Sequence, residues 1–194
     1  MGRVIVDMSP SIDGYVAGEG VSVASPFGDA GLRLHRWLGF EGATPAAADD
    51  EAVARTFGGA GAVVLGRRMF DVGIGTWGDD GAFGLPCFVV TNRPEPELVR
   101  GPTTFTFVTD GPAEAMRRAR AAAGDKDVVV PGGADLVRQC LAAGFVDVIH
   151  LHVVPVILGR GVPLFGGGTP RYEAETTDVV ASPHATHLTV AVKR

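Results

Sequence analysis

The sequence predicts an α/β fold, a mixed and mostly parallel sheet flanked by helices and finished by an antiparallel C-terminal hairpin. Three observations carry that prediction. Short runs such as Val128-Val129-Val130 are apolar and β-branched without alternation, as in strands buried on both faces. Stretches with helical apolar spacing separate these runs, so strands and helices alternate along most of the chain. The tail changes period: Leu188, Val190 and Val192 alternate behind a Ser182-Pro183-His184 turn.

In chain order, residues 3–8 (RVIVDM) read as the first core strand. Pro10, Asp13-Gly14 and Gly18 make the next stretch a turn-rich loop with an apolar centre at Tyr15, Val16 and Ala17. A helix is expected over 28–40, with Asp29 as N-cap and Leu34, Trp37 and Leu38 on one face. A second is expected over 46–57, with Asp49, Asp50 and Glu51 near its positive end. Residues 60–65 form the next buried strand, followed directly by Gly66-Arg67-Arg68-Met69-Phe70 and a Gly-rich connection over 73–84. Strands over 86–91 and 103–108 lead to a helix over 112–123, with Asp110 as its cap and Gly124 as its stop. Then come the 128–130 strand, Pro131-Gly132-Gly133, and a helix carrying Leu136, Val137, Cys140 and Leu141 on one face, closed by Gly144. Residues 146–158 read as a long strand bent at Pro155. Gly159-Arg160-Gly161 and Gly166-Gly167-Gly168 frame a loop, and strands over 172–181 and 185–192 close the chain.

Composition narrows the class. A chain of 194 residues makes one α/β domain spanning 1–194, and 46% hydrophobic residues suffice for a core. A net charge of −5 argues against nucleic acid or an anionic membrane as the main partner. Cys87 and Cys140 read as small buried hydrophobes in a reducing compartment. No signal peptide is recognisable at MGRVIVDM, and no run reaches the ~18 apolar residues of a membrane span. A soluble cytoplasmic protein is the expectation.

Three strand ends carry groups suited to an anion. Arg67 and Arg68 follow a buried strand directly, and arginine forks match phosphate. Thr91, Asn92 and Arg93 end the next strand. Gly132 and Gly133 join a strand to a helix, where bare backbone N–H groups can approach a phosphate. Ligands of open α/β sheets bind at such ends. Taken together, the three ends point to an anionic nucleotide. Gly73-Ile74-Gly75-Thr76-Trp77-Gly78 fits G-x-G-x-x-G only as a string, because neither a strand before it nor an apolar helix after it is present. His150 and His152 share a strand face, with His184 and His187 in the tail; satisfied strand histidines are expected there and no metal site.

These residues resemble a family. Ser11-Ile12-Asp13-Gly14-Tyr15-Val16-Ala17-Gly18, Val64-Leu65-Gly66-Arg67-Arg68-Met69-Phe70, the 86–92 strand and Val130-Pro131-Gly132-Gly133 occur in the order of the dihydrofolate reductase superfamily. So does Val154-Pro155-Val156-Ile157-Leu158-Gly159-Arg160-Gly161-Val162-Pro163-Leu164-Phe165. The likeness is closest to the C-terminal reductase domain of bacterial riboflavin biosynthesis and its stand-alone relatives. It implies a three-layer dihydrofolate-reductase-like fold with an eight-stranded sheet, NADPH as cofactor, a small-molecule substrate and a homodimer. By that resemblance Arg67 and Arg68 meet the 2′-phosphate and pyrophosphate, and Thr91, Asn92 and Arg93 line the 2′-phosphate pocket. Gly132, Gly133 and Ala134 give backbone N–H groups to the pyrophosphate, Gly66 belongs to the cofactor-binding set, and Val16 and Ala17 flank the nicotinamide.

The chain departs from the family pattern at two points. Met69 stands where a hydroxyl is common, and the first helix, Gly31-Leu32-Arg33-Leu34-His35-Arg36-Trp37-Leu38, holds no carboxylate of the kind that grips a pterin. Hydride transfer from NADPH to a C=N or C=O of a small heterocycle or sugar-like molecule is therefore the expected activity. A nucleotide-binding or sensory module without turnover is the alternative. Asp13 and His35 are the proton-donor candidates, although Asp13-Gly14 is equally what a tight turn needs. Trp37 and Trp77 wall the substrate pocket or belong to the core, and Arg160 could meet a ribityl or ribosyl phosphate. No attached deaminase domain is recognisable, so a bifunctional riboflavin enzyme is not expected.

Overall fold

A computed structural model describes residues 2–166, 169 and 171–193. Gly167 and Gly168 of the expected glycine frame lie outside the described residues. Among those described, nine strands form one sheet, built from β1 (Val4–Met8), β3 (Ala60–Gly66), β4 (Pro86–Val90), β5 (Leu98–Arg100), β6 (Thr103–Val108), β7 (Asp127–Val130), β8 (Val148–Val153), β10 (Ala174–Ala181) and β11 (Thr186–Val192). The order is β10-β11-β8-β1-β7-β3-β4-β6-β5. The six strands from β8 to β6 run parallel, while β5 at one edge and the β10–β11 hairpin at the other run antiparallel. A separate two-stranded piece pairs β2 (Tyr15–Ala17) with β9 (Val162–Pro163).

Helices α1 (Ala47–Phe57), α2 (Arg67–Gly73), α3 (Gly111–Ala123) and α4 (Ala134–Ala142) cover both faces. Strand alternation assigns the faces. Val64 on β3 packs with α3 and α4 residues such as Met116 and Val137. Val63 and Leu65 turn the other way, against Phe70, Phe105 and the Trp77 loop. On the same side near β8, Leu34, Trp37 and Ala52 make a third cluster. Phe105 has no exposed surface and sits between Phe70, 5.2 Å away edge-on, and Trp77, stacked at 5.9 Å.

Several expectations are corrected. The first helix is a 3-10 helix, Gly31–Leu38, not an α-helix over 28–40. Ala30 at φ 56 and Gly39 at φ 88 bound it, and the Asp29 N–H is bound to the Glu19 carbonyl at 2.8 Å. Neither Asp29 nor Asp110 makes a side-chain cap hydrogen bond. Leu38 is 40% exposed, off the buried face of Leu34 and Trp37. The strand expected over 146–158 ends at Val153, with one bridge from Val154 to Ser11 before Pro155. The ninth strand is β5, three residues at an edge and too short to show a period. The stretch after Gly66 is the short helix α2, whose seven residues hold less than two turns of pattern.

Gly161 locks β9 onto β2. Its φ is +143, and a Cβ there would lie 2.1 Å from the Ala17 carbonyl oxygen. Gly161→Ala is therefore expected to separate β9 from β2 and raise hydrogen exchange at Ala17 with the main sheet unchanged. Unchanged exchange at Ala17 would contradict this close packing.

Candidate functional site

The carboxyl ends of adjacent parallel strands open onto one cleft of about 1180 Å³. β1 contributes Met8 and Ser9, β7 leads to Pro131 and Gly133, β3 to Gly66, Arg67 and Arg68, and β4 to Val90, Thr91 and Asn92. Crossover connections leave the sheet at these ends, so backbone and loop side chains collect there. The three anion-suited ends thus line the same cavity, with Ala134 beside them. Val16 and Ala17 form part of its wall, as do His35 and Trp37.

Gly132 does not line the cleft. It lies beneath it, with its carbonyl accepting the Gly66 N–H at 2.9 Å and Met69 Sδ 3.4 Å from where a Cβ would be. Arg93 is also outside, 63% exposed and paired with Asp71 at 2.6 Å. Arg67 and Arg68 differ sharply. The Arg67 Nε donates to Asp71 at 2.6 Å and its Nη2 reaches Glu95 at 2.5 Å. Its Nη1 is buried and has no hydrogen-bond partner among the described residues. Arg68 is exposed on the cleft wall and makes no ion pair among the described residues.

Two observations test whether a dinucleotide fits. The buried Arg67 Nη1 is an unspent donor beside the cleft. A Cβ built on Gly133 at the start of α4 would meet nothing within 4 Å, so the helix entrance faces open space. Backbone N–H groups there are accessible to an anion. The residues fit an anionic dinucleotide.

The proton-donor candidates are placed less favourably. Asp13 is not in the cleft. It staples two loops, accepting from Ser11 Oγ at 2.6 Å and from the N–H groups of Leu158 at 3.1 Å and Gly159 at 2.6 Å. These bonds, the Ser11 hydroxyl foremost, hold its carboxyl below the usual range. Arg160 is likewise outside, 72% exposed and paired with Glu19 at 3.1 Å. His35 does line the cleft, among Phe27 at 4.5 Å and Phe40 at 5.8 Å, with Nδ1 buried and unpartnered. Burial pushes its pKa down to about 4, so the ring is neutral at pH 7.

That shift has a testable sign. Between pH 6.5 and about 4 the unfolded chain binds a proton at His35 that the folded chain refuses. Stability therefore falls on acidification across this window, by about 3 kcal/mol in all from this group. Urea melts at the two ends of the window should show this slope reduced in His35→Phe. An equal slope in both proteins would contradict the burial of a neutral ring.

A further set of groups was not legible as a site. Asp7 lines the cleft from β1, pointing away from the α3–α4 face that Val4, Val6 and Met8 share. Its Oδ2 accepts from Thr56 Oγ1 at 2.6 Å and meets His152 Nε2 at 3.1 Å. His152 Nδ1 lies 2.7 Å from His187 Nδ1, and His187 Nε2 lies 2.9 Å from Asp49 Oδ1. Thr56 Oγ1 also meets His150 Nδ1 at 2.7 Å. Register explains the row: Asp7 pairs with His150 across β1–β8, and His152 with His187 across β8–β11. α1 lays Asp49 and Thr56, two turns apart, over that sheet face. The Trp37 ring lies 4.2 Å from that of His152 at a tilt of 33°, and its Nε1 donates to Ser9 Oγ at 3.0 Å. Burial alone would raise the Asp7 pKa. The His152 hydrogen bond and charge, with Thr56 and His150, outweigh it and hold the carboxyl below its ordinary value. Burial pushes both His150 and His187 down. The available signals were an acid inside an apolar strand and histidines at strand period.

A model of the RibD C-terminal domain matches residues 3–188. The chain belongs to the RibD C-terminal domain family. In fold, this RibD C-terminal domain is similar to a putative riboflavin biosynthesis protein from Shewanella sp. PV-4, with a TM-score of 0.75, 20% identity and 99% of both chains covered. It is also similar to a dihydrofolate reductase from Enterococcus faecalis complexed with NADP(H) and RAB-propyl, at TM-score 0.61 and 14% identity over 100% of this chain and 98% of that one. The fold is thus that of dihydrofolate reductase. In sequence it is 30% identical over 79 residues to the uncharacterized protein YwjB of Bacillus subtilis, covering 41% of this chain and 43% of that protein. No helix among the described residues is long and apolar enough to cross a membrane.

Proposed function

We propose that this RibD C-terminal domain is a reductase of the riboflavin-pathway type that binds NADPH in the cleft and reduces a C=N or C=O of a small heterocyclic or sugar-like molecule in the cytoplasm. The observation that carries the reading is the convergence of Gly66–Arg68, Thr91–Asn92 and Gly133–Ala134 on one cavity. In this reading Arg68 and the Arg67 Nη1 hold phosphate, Thr91 and Asn92 offer side-chain hydrogen bonds, and the α4 entrance offers backbone N–H groups. Val16 and Ala17 present an apolar wall, and Trp37 with Phe27 and Phe40 excludes water from the far end. Bound NADPH supplies the hydride. The likeness in fold to the Enterococcus faecalis dihydrofolate reductase complexed with NADP(H) supports the choice of cofactor.

Calorimetric titration tests it. NADPH should bind tighter than NADH, and an Arg67→Ala/Arg68→Ala protein should lose that preference, a change of roughly tenfold or more. No binding of either nucleotide would overturn the reading. A nucleotide-binding module without turnover is excluded by steady NADPH oxidation with any member of a pterin, pyrimidine and ketone panel. A homodimer belongs to the same proposal. It is supported by an apolar hollow of about 510 Å³ on the β8–β11 face, lined by Leu151, Val190 and Val192. Light scattering should give twice the 20.1 kDa chain mass, and the single mass would contradict it.

A further inference from the structure

The row Asp7–His152–His187–Asp49 contains three consecutive contacts between groups that all need a proton to meet: 3.1 Å from Asp7 Oδ2 to His152 Nε2, 2.7 Å between the two Nδ1 atoms, and 2.9 Å from His187 Nε2 to Asp49 Oδ1. Each needs one proton between its two heavy atoms. A neutral imidazole carries one N–H and an ionised carboxylate none, so two neutral rings supply only two. A filled row therefore holds one proton more than its neutral rings and ionised acids account for. Shifting two protons toward Asp7, each across its own contact, keeps the row filled and moves the extra proton from His187 to the Asp7 carboxyl.

The two ends of the row differ. Asp49 is fully buried, and its Oδ2 accepts the Ala46 N–H at 2.8 Å. Asp7 lines the cleft. Its Oδ1 makes no hydrogen bond among the described residues and is not among their buried unpartnered atoms. The branch through Thr56 runs His150 Nδ1–H to Thr56 Oγ1, then Oγ1–H to Asp7 Oδ2, which fixes His150 Nδ1 as a donor. The charged groups facing the row are few. Arg55 on α1 is paired with Asp178 on β10, and Arg3 before β1 is paired with Asp127 on β7. Both disfavour a charged His150; at His187 burial, His152 and Arg55 disfavour the charge, and the hydrogen bond and charge of Asp49 favour it.

We propose that this row is a one-proton relay that supplies the proton accompanying hydride delivery, with Asp7 as the catalytic acid and His152, His187 and Asp49 as positioning residues that load it; the role rests on the reductase reading above. In the step, the shared proton passes from His187 Nδ1 to His152 Nδ1, and the His152 Nε2 proton passes to Asp7 Oδ2. The carboxylic acid so formed turns about Cβ–Cγ and gives its proton to the substrate atom beside the carbon that accepts the hydride. The row ends one proton poorer. His152 Nε2 and the Asp7 carboxylate then face each other as two acceptors, which draws a proton back from solvent once the cleft empties.

The first test uses nucleotide-free protein labelled with 15N at histidine. The two Nδ1 atoms should share one proton, and the His187 ring should lose its charge in a single step. Asp7→Asn should lower the midpoint of that His187 step by about 1–3 pH units, because the carboxylate at the far end of the shared pair is lost. Asp13→Asn, whose carboxylate lies outside the cleft, should leave it in place. Two rings in simple neutral tautomers, or a midpoint indifferent to Asp7→Asn, would overturn the relay. His187→Gln is a second variant should Asp7→Asn not fold, and it should abolish the shared-proton signal. The second test measures NADPH binding by calorimetry in phosphate and in Tris. Filling the cleft removes water from Asp7 and should draw a fractional proton into wild type but none into Asp7→Asn. Binding with no linked proton in wild type overturns the relay with the reductase reading intact. No NADPH binding at all overturns the reductase reading and the relay's role in it, and the shared proton is then judged by the 15N titration alone.

Discussion

Reversing the charge at Arg68, by Arg68→Glu, is expected to weaken NADPH binding by roughly 10- to 150-fold, the range of one charge-assisted hydrogen bond lost. Arg68 is exposed on the cleft wall and makes no ion pair among the described residues. Its charge is available to a phosphate without displacing a partner. Arg67 is different. Asp71 and Glu95 already engage its Nε and Nη2, and Phe70 and Phe107 rings lie 5.7 and 5.5 Å from its guanidinium. Arg67→Ala should therefore disturb local packing as well as binding, whereas Arg68→Glu should leave the melting temperature close to that of wild type. The binding isotherm and a thermal melt of the same two variants check both parts. An Arg68→Glu protein that binds NADPH as wild type does would remove Arg68 from the phosphate site.

Asp49→Ala is expected to destabilise the fold by about 3–5 kcal/mol, the cost of breaking a buried charged pair from one side. Asp49 has no exposed surface, and its oxygens accept from His187 Nε2 and from the Ala46 N–H at the start of α1, with the Ser182 hydroxyl a further partner. Alanine leaves both donors buried without an acceptor. For a chain of this length the loss amounts to a fall in melting temperature of roughly 6–20 °C. Asp49→Asn keeps an acceptor and should recover much of it. A full-sized loss in Asp49→Asn and a small one in Asp49→Ala would show that the acceptor is not what α1 contributes here.

The fold was legible because its strands carry their burial in composition. Val128, Val129 and Val130 announced a central parallel strand, and Leu188, Val190 and Val192 announced the hairpin, since a residue's period reports its neighbours on either face. The three anion-suited strand ends were legible for a related reason: glycine pairs and strand-terminal arginines sit beside the runs that position them. What the chain did not disclose is long-range. Asp7, Asp49, Thr56, His152 and His187 come from four elements and meet only through the β1–β8–β11 register and the placement of α1. His150 and His152 were visible as neighbours on one face, but nothing local gave them Asp7 or His187 as partners. The pairing of Arg67 with Glu95, twenty-eight positions apart, was equally invisible. Without it, two adjacent arginines looked equivalent.

The central claim is that the strand-end cleft is the dinucleotide site. It is tested most directly by titrating 15N-labelled protein with NADPH and following the backbone amides. The predicted result is a set of large shifts at Gly66, Arg67, Arg68, Thr91, Asn92, Gly133 and Ala134, with the exposed strand β10 unmoved. Shifts confined to other surfaces, or none at saturating NADPH, would contradict it.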